Sequence, residues 1–181
     1  MKAVFLRGCA LLAAASLAGC SSMGGRETSG GGTDVTSFHL GQPIARGQIS
    51  VEAFDPADVN SPEFGAYSAA VQSQLTRLGW TLAPAGARSE QVALIDVQQG
   101  SRAALTGRVG GGAGLGAGAS GSVATMLEVR ISRRSDGTVI WEGRSIGQAP
   151  ADAARASAVE SLAAALFRGF PGESGRTIRA R

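Results

Sequence analysis

The chain is short of the side chains that carry most enzymatic chemistry. In 181 residues it holds one histidine, His39, and two cysteines, Cys9 and Cys20. Its only lysine is Lys2. A Ser-His-Asp triad or a zinc centre would have to be built on His39 alone, whereas zinc sites draw on several His or Cys ligands. A phosphate loop of the Walker type needs a lysine, and none follows Lys2. No apolar run reaches the roughly 20 residues that span hydrocarbon, so a transmembrane helix is a poor reading. These shortages disfavour hydrolases, metal enzymes and nucleotide-binding proteins before any element is placed.

What is present begins with a targeting segment. Lys2 and Arg7 form a basic start, and Ala10 to Ala18 an apolar run broken only by Ser16. Leu17-Ala18-Gly19-Cys20 follows and resembles the lipobox of bacterial lipoproteins. That resemblance implies a signal peptide over residues 1–19, diacylglyceryl transfer to the Cys20 sulfur, cleavage after Gly19 and N-acylation of the new terminus. Two or more acyl chains anchor a protein stably, where one holds it only reversibly. The alternative is a plain secretory signal cut near Ala18, leaving an unmodified thiol. Ser21 stands where lipoproteins kept at the inner membrane often carry Asp, so Cys20 is expected on the inner leaflet of the outer membrane, facing the periplasm. Other bacterial groups follow other retention rules, and an inner-membrane location stays open.

Cleavage would remove two of the 17 basic residues, leaving 15 against 14 acidic ones. The mature chain is then near neutral and carries no general polyanion footprint, which argues against nucleic acid as a partner. Cys9 leaves with the signal and Cys20 is taken by lipid, so neither a disulfide nor thiol chemistry remains. Residues 20–33 read as an acylated Cys and a Gly/Ser-rich tether of about 20 Å root-mean-square span. Residues 34–181 suit one domain.

Within that domain, Val35–Leu40 and Gln48–Phe54 read as strands; Ile49, Val51 and Ala53 alternate with Gln48, Ser50 and Glu52. Ser61-Pro62-Glu63 supplies a helix start. Phe64, Tyr67, Val71, Leu75 and Leu78 give one apolar stripe, and Gly79 the expected left-handed stop with Trp80 folding back. Gln91–Gln99, apolar on both parities until Asp96, suits a central strand. Ser122–Arg133 alternates cleanly, with Val123, Thr125, Leu127, Val129 and Ile131 on one face. Ser135-Asp136-Gly137 turns the chain into a strand over Thr138–Ile146.

The register of that hairpin can be argued. A two-residue Asp-Gly turn would pair Ile131 with Glu142, mixing buried and exposed faces. A three-residue loop with left-handed Gly137 pairs Ile131 with Trp141 on the core side. It also sets Arg130 opposite Glu142 and Arg144 opposite Glu128 outside, each pair contributing about 0.2–1 kcal/mol. Ala151–Phe167 then forms an Ala-rich helix with Val159, Leu162, Ala163, Leu166 and Phe167 on one face, and Arg176–Arg181 adds an edge strand or frays. The order β-β-α-β-β-β-α predicts an α+β domain: a single antiparallel or mixed sheet with two helices packed on one face.

Phe38-His39-Leu40-Gly41 with Pro43-Ile44-Ala45, then Trp141-Glu142-Gly143-Arg144, then Leu166-Phe167-Arg168-Gly169-Phe170-Pro171-Gly172 with Ser174-Gly175 occur in this order. Together they resemble the domain-of-unknown-function family numbered 4136, found in Gram-negative envelope lipoproteins. The resemblance covers nearly the whole mature domain and implies an α+β periplasmic fold behind a lipid anchor. It brings no catalytic residue with it.

The remaining candidates read blandly. Arg108–Ser122 contains spaced glycines matching a dinucleotide pattern, but they lead into a strand rather than a helix N-terminus, so no nucleotide is expected. This segment is expected to be a long disordered connection, with backbone contact to a partner or the bilayer as the other reading. His39, between Phe38 and Leu40, is expected to be a surface or hydrogen-bonded histidine. Asp55, Asp58 and Asn60 lack calcium-loop spacing and suit turn chemistry. Arg133 and Arg134, and Arg176, Arg179 and Arg181, are expected to be solvated, with weak lipid-phosphate binding as the alternative for the tail.

The expectation is therefore a lipid-anchored, non-catalytic binding or structural module with no cofactor, held to the membrane through the Cys20 acyl chains. Its expected partner is another envelope protein, met at an exposed sheet edge or the face opposite the helices. An accessory lipoprotein of an envelope transport or export assembly is the second reading, and a small hydrolase built on His39 the third.

Overall fold

The computed structural model describes residues 32–84, 86–107, 123–148 and 155–180. These form strands β1 (Thr33–His39), β2 (Gln48–Ala53), β3 (Thr81–Leu82), β4 (Gln91–Gly100), β5 (Ala124–Arg133), β6 (Val139–Gln148) and β7 (Thr177–Ala180). The helices are α1 (Pro62–Arg77), α2 (Arg102–Gly107) and α3 (Arg155–Phe167). The strands make one sheet in the order β3-β2-β4-β5-β6-β1-β7. It is mixed: β2 runs parallel to both β3 and β4, and the other pairings are antiparallel. The parallel pairs follow from α1, which carries the chain from the end of β2 back to the start of β3, as a parallel connection requires.

Helix α1 begins and ends as its residues dictate. The Ser61 hydroxyl accepts from the Phe64 N–H at 3.1 Å, with Pro62 in the first turn. At the other end Gly79 takes φ +98°, its N–H bonds the Thr76 carbonyl, and the Trp80 N–H bonds the Leu75 carbonyl. This double closure satisfies carbonyls the helix leaves open and returns Trp80 to the core. The Trp80 indole then donates to Gln91 Oε1 at 2.7 Å, and the Gln91 amide donates to the Ala45 carbonyl at 2.9 Å.

Helices α1 and α3 cover one face of the sheet. Val71, Leu75, Val159 and Ala163 meet Leu127, Val129, Ile131 and Trp141, all fully buried. Trp141 stacks on Phe167 with ring centres 5.4 Å apart, touches Phe170 at 5.1 Å, and donates its indole N–H to the Pro171 carbonyl at 2.9 Å. Gly143 keeps the space beside that ring open: a Cβ there would collide with Trp141 and lie 2.9 Å from Leu166 Cδ1.

The β5–β6 register is the one the side-chain pattern demands, with Ile131 opposite Trp141, Arg130 opposite Glu142 and Glu128 opposite Arg144. The loop that delivers it is longer than expected. Arg133 bonds Thr138 and accepts from the Gly137 N–H, so residues 134–137 form a four-residue loop, with Gly137 at φ +70°. Ser132 then pairs with Val139, and an irregularity between Ile131 and Ser132 absorbs the extra residue at Ile140. A bulge can thus restore a register that turn length alone would shift, because burial of one face decides it.

Two elements lie outside the sequence expectation. Strand β3 is only two residues long and packs beside β2. Helix α2, of six residues, covers the opposite face of the sheet at one end, where its Leu105 packs on Ala124, Met126 and Ile146. Val123 is 57% exposed just before β5 rather than buried in it. Helix α3 is seen from Arg155, the predicted residues 151–154 lying outside the described residues. The expected edge strand forms as β7.

Candidate functional site

The sheet face turned away from α1 and α3 carries an organised polar surface. Alternation along β5 and β6 places Glu128 and Arg130 on that face beside Glu142 and Arg144. The four close a ring. Arg130 Nε lies 3.2 Å from Glu142 and its Nη2 3.0 Å from Glu128; Arg144 Nε lies 2.9 Å from Glu128 and its Nη2 2.7 Å from Glu142. Each guanidinium thus holds both carboxylates, and the side chains are only 15–26% exposed. Asp96 of β4 lies next to Glu128 across the ladder, with its carboxylate bonded by the Gln98 amide.

This lattice extends toward β2. The Arg134 guanidinium reaches back from the hairpin tip to Ser50, to Glu52 and to the Ser89 carbonyl. Arg130 Cζ stands 5.2 Å over the Phe54 ring, and Phe54 itself is 50% exposed. The surface therefore combines a preformed, mutually neutralised grid of charge with an apolar ring at its margin. The charges of Glu128, Arg130, Glu142 and Arg144 already pair with one another.

His39 has both ring nitrogens occupied by backbone. Nδ1 accepts from the Gly41 N–H at 3.1 Å, which leaves Nε2 to donate to the Gly172 carbonyl at 3.1 Å. The Ser174 hydroxyl brackets the His39 backbone, accepting from its N–H and donating to its carbonyl, while the Gly175 N–H bonds the Ser37 carbonyl. Gly172, at φ +81°, leaves no room for a Cβ beside Ser37 Oγ. His39 is thus the expected hydrogen-bonded histidine, and it latches the end of β1 to the segment after α3. The Phe38–Gly41, Trp141–Arg144 and Phe170–Gly175 motifs meet at this latch and at the neighbouring Trp141 ring.

The other candidates resolve individually. Asp55 caps a short 3-10 turn over Pro56–Asn60, its carboxylate accepting from the Ala57 N–H at 2.9 Å, which is the expected turn chemistry. Among the described residues no group of three or more His, Cys, Asp or Glu side chains is arranged to hold a metal ion. Arg133 pairs with Asp136 at 3.3 Å and Arg176 with Glu173 at 2.6 Å, both at the surface. Arg134 departs from the expectation of a solvated residue, for it is partly buried in the lattice described above. Arg102 of α2 pairs with Asp34 and bonds the Gly32 carbonyl, a link no local pattern announced. Leu17, Ala18, Gly19, Cys20, residues 21–31 of the expected tether, the Arg108–Ser122 segment and Arg181 lie outside the described residues, whereas Thr33, expected to end the tether, instead opens β1 and pairs with Ala180. No helix among the described residues is long and apolar enough to cross a membrane.

Comparison with known proteins adds fold rather than activity. No family model matches the chain. An uncharacterized protein of Zymomonas mobilis is 26% identical over 211 aligned residues, covering 82% of this chain and 80% of that protein. Among solved structures, the PelC dodecamer from Paraburkholderia phytofirmans aligns with a TM-score of 0.45 at 17% identity, over 73% of this chain and 92% of that one. A PDZ domain protein from Parabacteroides distasonis aligns with a TM-score of 0.54 at 10% identity, over 84% of this chain and 40% of that one. This chain therefore spans less than half of the latter, and the likeness is one of fold alone.

Proposed function

We infer that this chain is a lipid-anchored envelope protein, acylated at Cys20 after removal of residues 1–19, whose α+β domain serves as a non-catalytic binding module on the periplasmic side of the outer membrane. The anchor half of the reading rests on the basic start, apolar run and Leu17-Ala18-Gly19-Cys20 coinciding in one segment. The resemblance to the domain family numbered 4136 is part of the same reading.

The binding half rests on one observation: the face opposite α1 and α3 carries the ordered Glu128–Arg130–Glu142–Arg144 lattice with the exposed Phe54 ring beside it. A rigid polar surface with an aromatic at its margin suits docking to another envelope protein, since such residues supply much of the energy of protein interfaces. The occupation of both His39 ring nitrogens supports the non-catalytic character, because a general base needs one of them free.

Two measurements test the reading. Cys20→Ala should shift the protein from the membrane fraction to the soluble periplasm and abolish incorporation of labelled palmitate; persistence of both would overturn the anchor. A photo-crosslinking residue at Phe54 or Glu52 should capture a discrete envelope protein in intact cells, while the same residue at Ser73, exposed on α1, should not. Equal capture from both positions, or capture from neither, would remove the sheet face as the docking surface.

A further inference from the structure

The near-neutral balance of the chain conceals a charge asymmetry along its strands. Gly100, Ala124 and Gln148 are paired at one end of the sheet, where Thr33 also meets Ala180 and the chain from Cys20 enters at Gly32. The seven residues of β1 lead, over about 23 Å, to the other end, where His39 faces Trp141 and Gln91 faces Arg133. This far end is basic. Phe167, stacked on Trp141, brings Arg168 to it, and the His39 latch brings Arg176. With Arg46, Arg77, Arg88 and Arg133 they make six exposed arginines against exposed Glu90, Asp136 and Glu173, a net charge of +3 among the described residues. Arg134 rises from the same hairpin but is neutralised by Glu52. The half nearer Gly32 has the opposite balance: Asp34, Asp55, Asp58, Glu63 and Glu160 stand against Arg102, Arg155 and Arg179.

The uncompensated charge is concentrated at one corner. Arg133 pairs with Asp136 and Arg176 with Glu173, whereas Arg46, Arg77 and Arg88 join no ion pair among the described residues. Local packing gathers these three. Arg46 Cζ lies 5.7 Å over the Trp80 ring, and its Cδ would stand 3.5 Å from a Cβ on Gly79. Arg77 ends α1 two residues before that glycine. The Gln91 amide holds the Ala45 carbonyl, which draws Arg46 to the start of β4, three residues after Arg88. The helix dipole favours a cation at Arg77 and the indole favours one at Arg46, but no neighbour of that kind accounts for Arg88. The exposed residues between them, Gly47, Gly79 and Ala87, provide no large apolar anchor.

We propose that this corner docks peptidoglycan, an envelope polymer whose stem peptides carry free carboxylates, and that Arg46, Arg77 and Arg88 bind those carboxylates. The inference rests on the envelope location proposed above and concerns a different surface from the Glu128–Arg144 face. Complementary charge draws the polymer to the basic end, and like charge disfavours the half where the anchored chain enters. That same distribution argues against an anionic lipid surface at the anchor, since the basic corner is remote from Gly32. A folded acidic protein is the competing partner. Protein interfaces draw much of their energy from buried apolar and aromatic anchors, which the residues among the three arginines do not supply.

Cosedimentation of the full-length protein in detergent micelles with purified sacculi, freed of bound protein, tests this. Saturable binding is expected, weakening at least about tenfold between about 50 and about 500 mM salt. Amidating the sacculus carboxylates should weaken it at least about tenfold as well. The double variant Arg77→Gln/Arg88→Gln should lose about fivefold or more in affinity, with a thermal midpoint within about 4 °C of the parent. Arg155→Gln/Arg179→Gln removes the same charge from the other half and should leave binding within about twofold. Absence of cosedimentation at about 50 mM salt overturns the proposal. So does binding indifferent to amidation, or an equal loss in the two double variants. A photo-crosslinking residue at Arg88 should, in intact cells, join the protein to insoluble material that lysozyme releases; a discrete protein adduct in its place overturns the proposal in favour of an acidic protein. The sacculus assay does not involve the acyl chains, so its failure is distinct from a failure of the Cys20→Ala test of the anchor.

Discussion

A Cβ at position 143 would collide with the Trp141 ring and press on Leu166, so glycine there is a requirement of the core rather than of the strand. Gly143→Ala should destabilise the protein by about 1–3 kcal/mol, read from the chemical denaturation midpoint, because overfilling a close-packed site forces side chains off their rotamers. Tyr67 carries the opposite expectation. Its hydroxyl is buried and unpartnered, so Tyr67→Phe should leave the protein as stable as before or raise its stability by up to about 1 kcal/mol in the same measurement. A loss of more than about 1 kcal/mol would mean that the hydroxyl is satisfied in solution. The tyrosine was legible in the sequence as a member of an apolar stripe. That its hydroxyl lacks a partner was not, because periodicity reports which face a side chain is on and says nothing of what its tip meets.

The hairpin of β5 and β6 shows what governs an element. Its register follows from the need to bury Ile131 with Trp141 and to place Arg130 and Arg144 against Glu142 and Glu128, and the structure has those pairs. Loop length proved the softer variable: four residues close the turn and a bulge at Ile140 absorbs the difference. Removing Arg144 would leave Glu128 and Glu142, both under 20% exposed, with half their partners. Arg144→Ala should therefore cost about 1–2 kcal/mol, and pairing it with Glu128→Gln should cost less than the sum of the two single changes. At the tip, the Thr138 backbone N–H bonded to Asp136, then the Thr138 hydroxyl, with Arg133 nearby, hold this carboxyl below its ordinary value of 3.8. A lowered carboxyl pKa stabilises the fold above the unfolded value, and that support disappears as pH falls through the folded value below 3.8. The Thr138 amide resonance should thus titrate with a midpoint below that of an unstructured aspartate, and Asp136→Asn should abolish the transition.

For the molecule as a whole, the proposed anchor and the fold are separable. Cys20→Ala should change where the protein is found and leave its unfolding midpoint unaltered, since the core is assembled from residues between Val35 and Ala180. A lowered midpoint in detergent would show instead that the acyl chains contribute to the fold. The sequence by itself determined the capped amphipathic helix α1, the alternating strands, the hairpin register and the α+β class, because each rests on contacts between residues close in the chain or on burial of one face. It is also the whole basis for the anchor. Only the tertiary structure decided that β2 runs parallel to β4, that a six-residue helix covers one end of the far face, and that Arg134 crosses back to Glu52. The same holds for the meeting of the Phe38–Gly41, Trp141–Arg144 and Phe170–Gly175 motifs around His39 and Trp141. Those arrangements join residues far apart in the chain, 135 positions between His39 and Ser174, and no local pattern carries such a pairing. Chain topology brings them together, and side chains that read singly as surface residues become latches once their distant partners are in place.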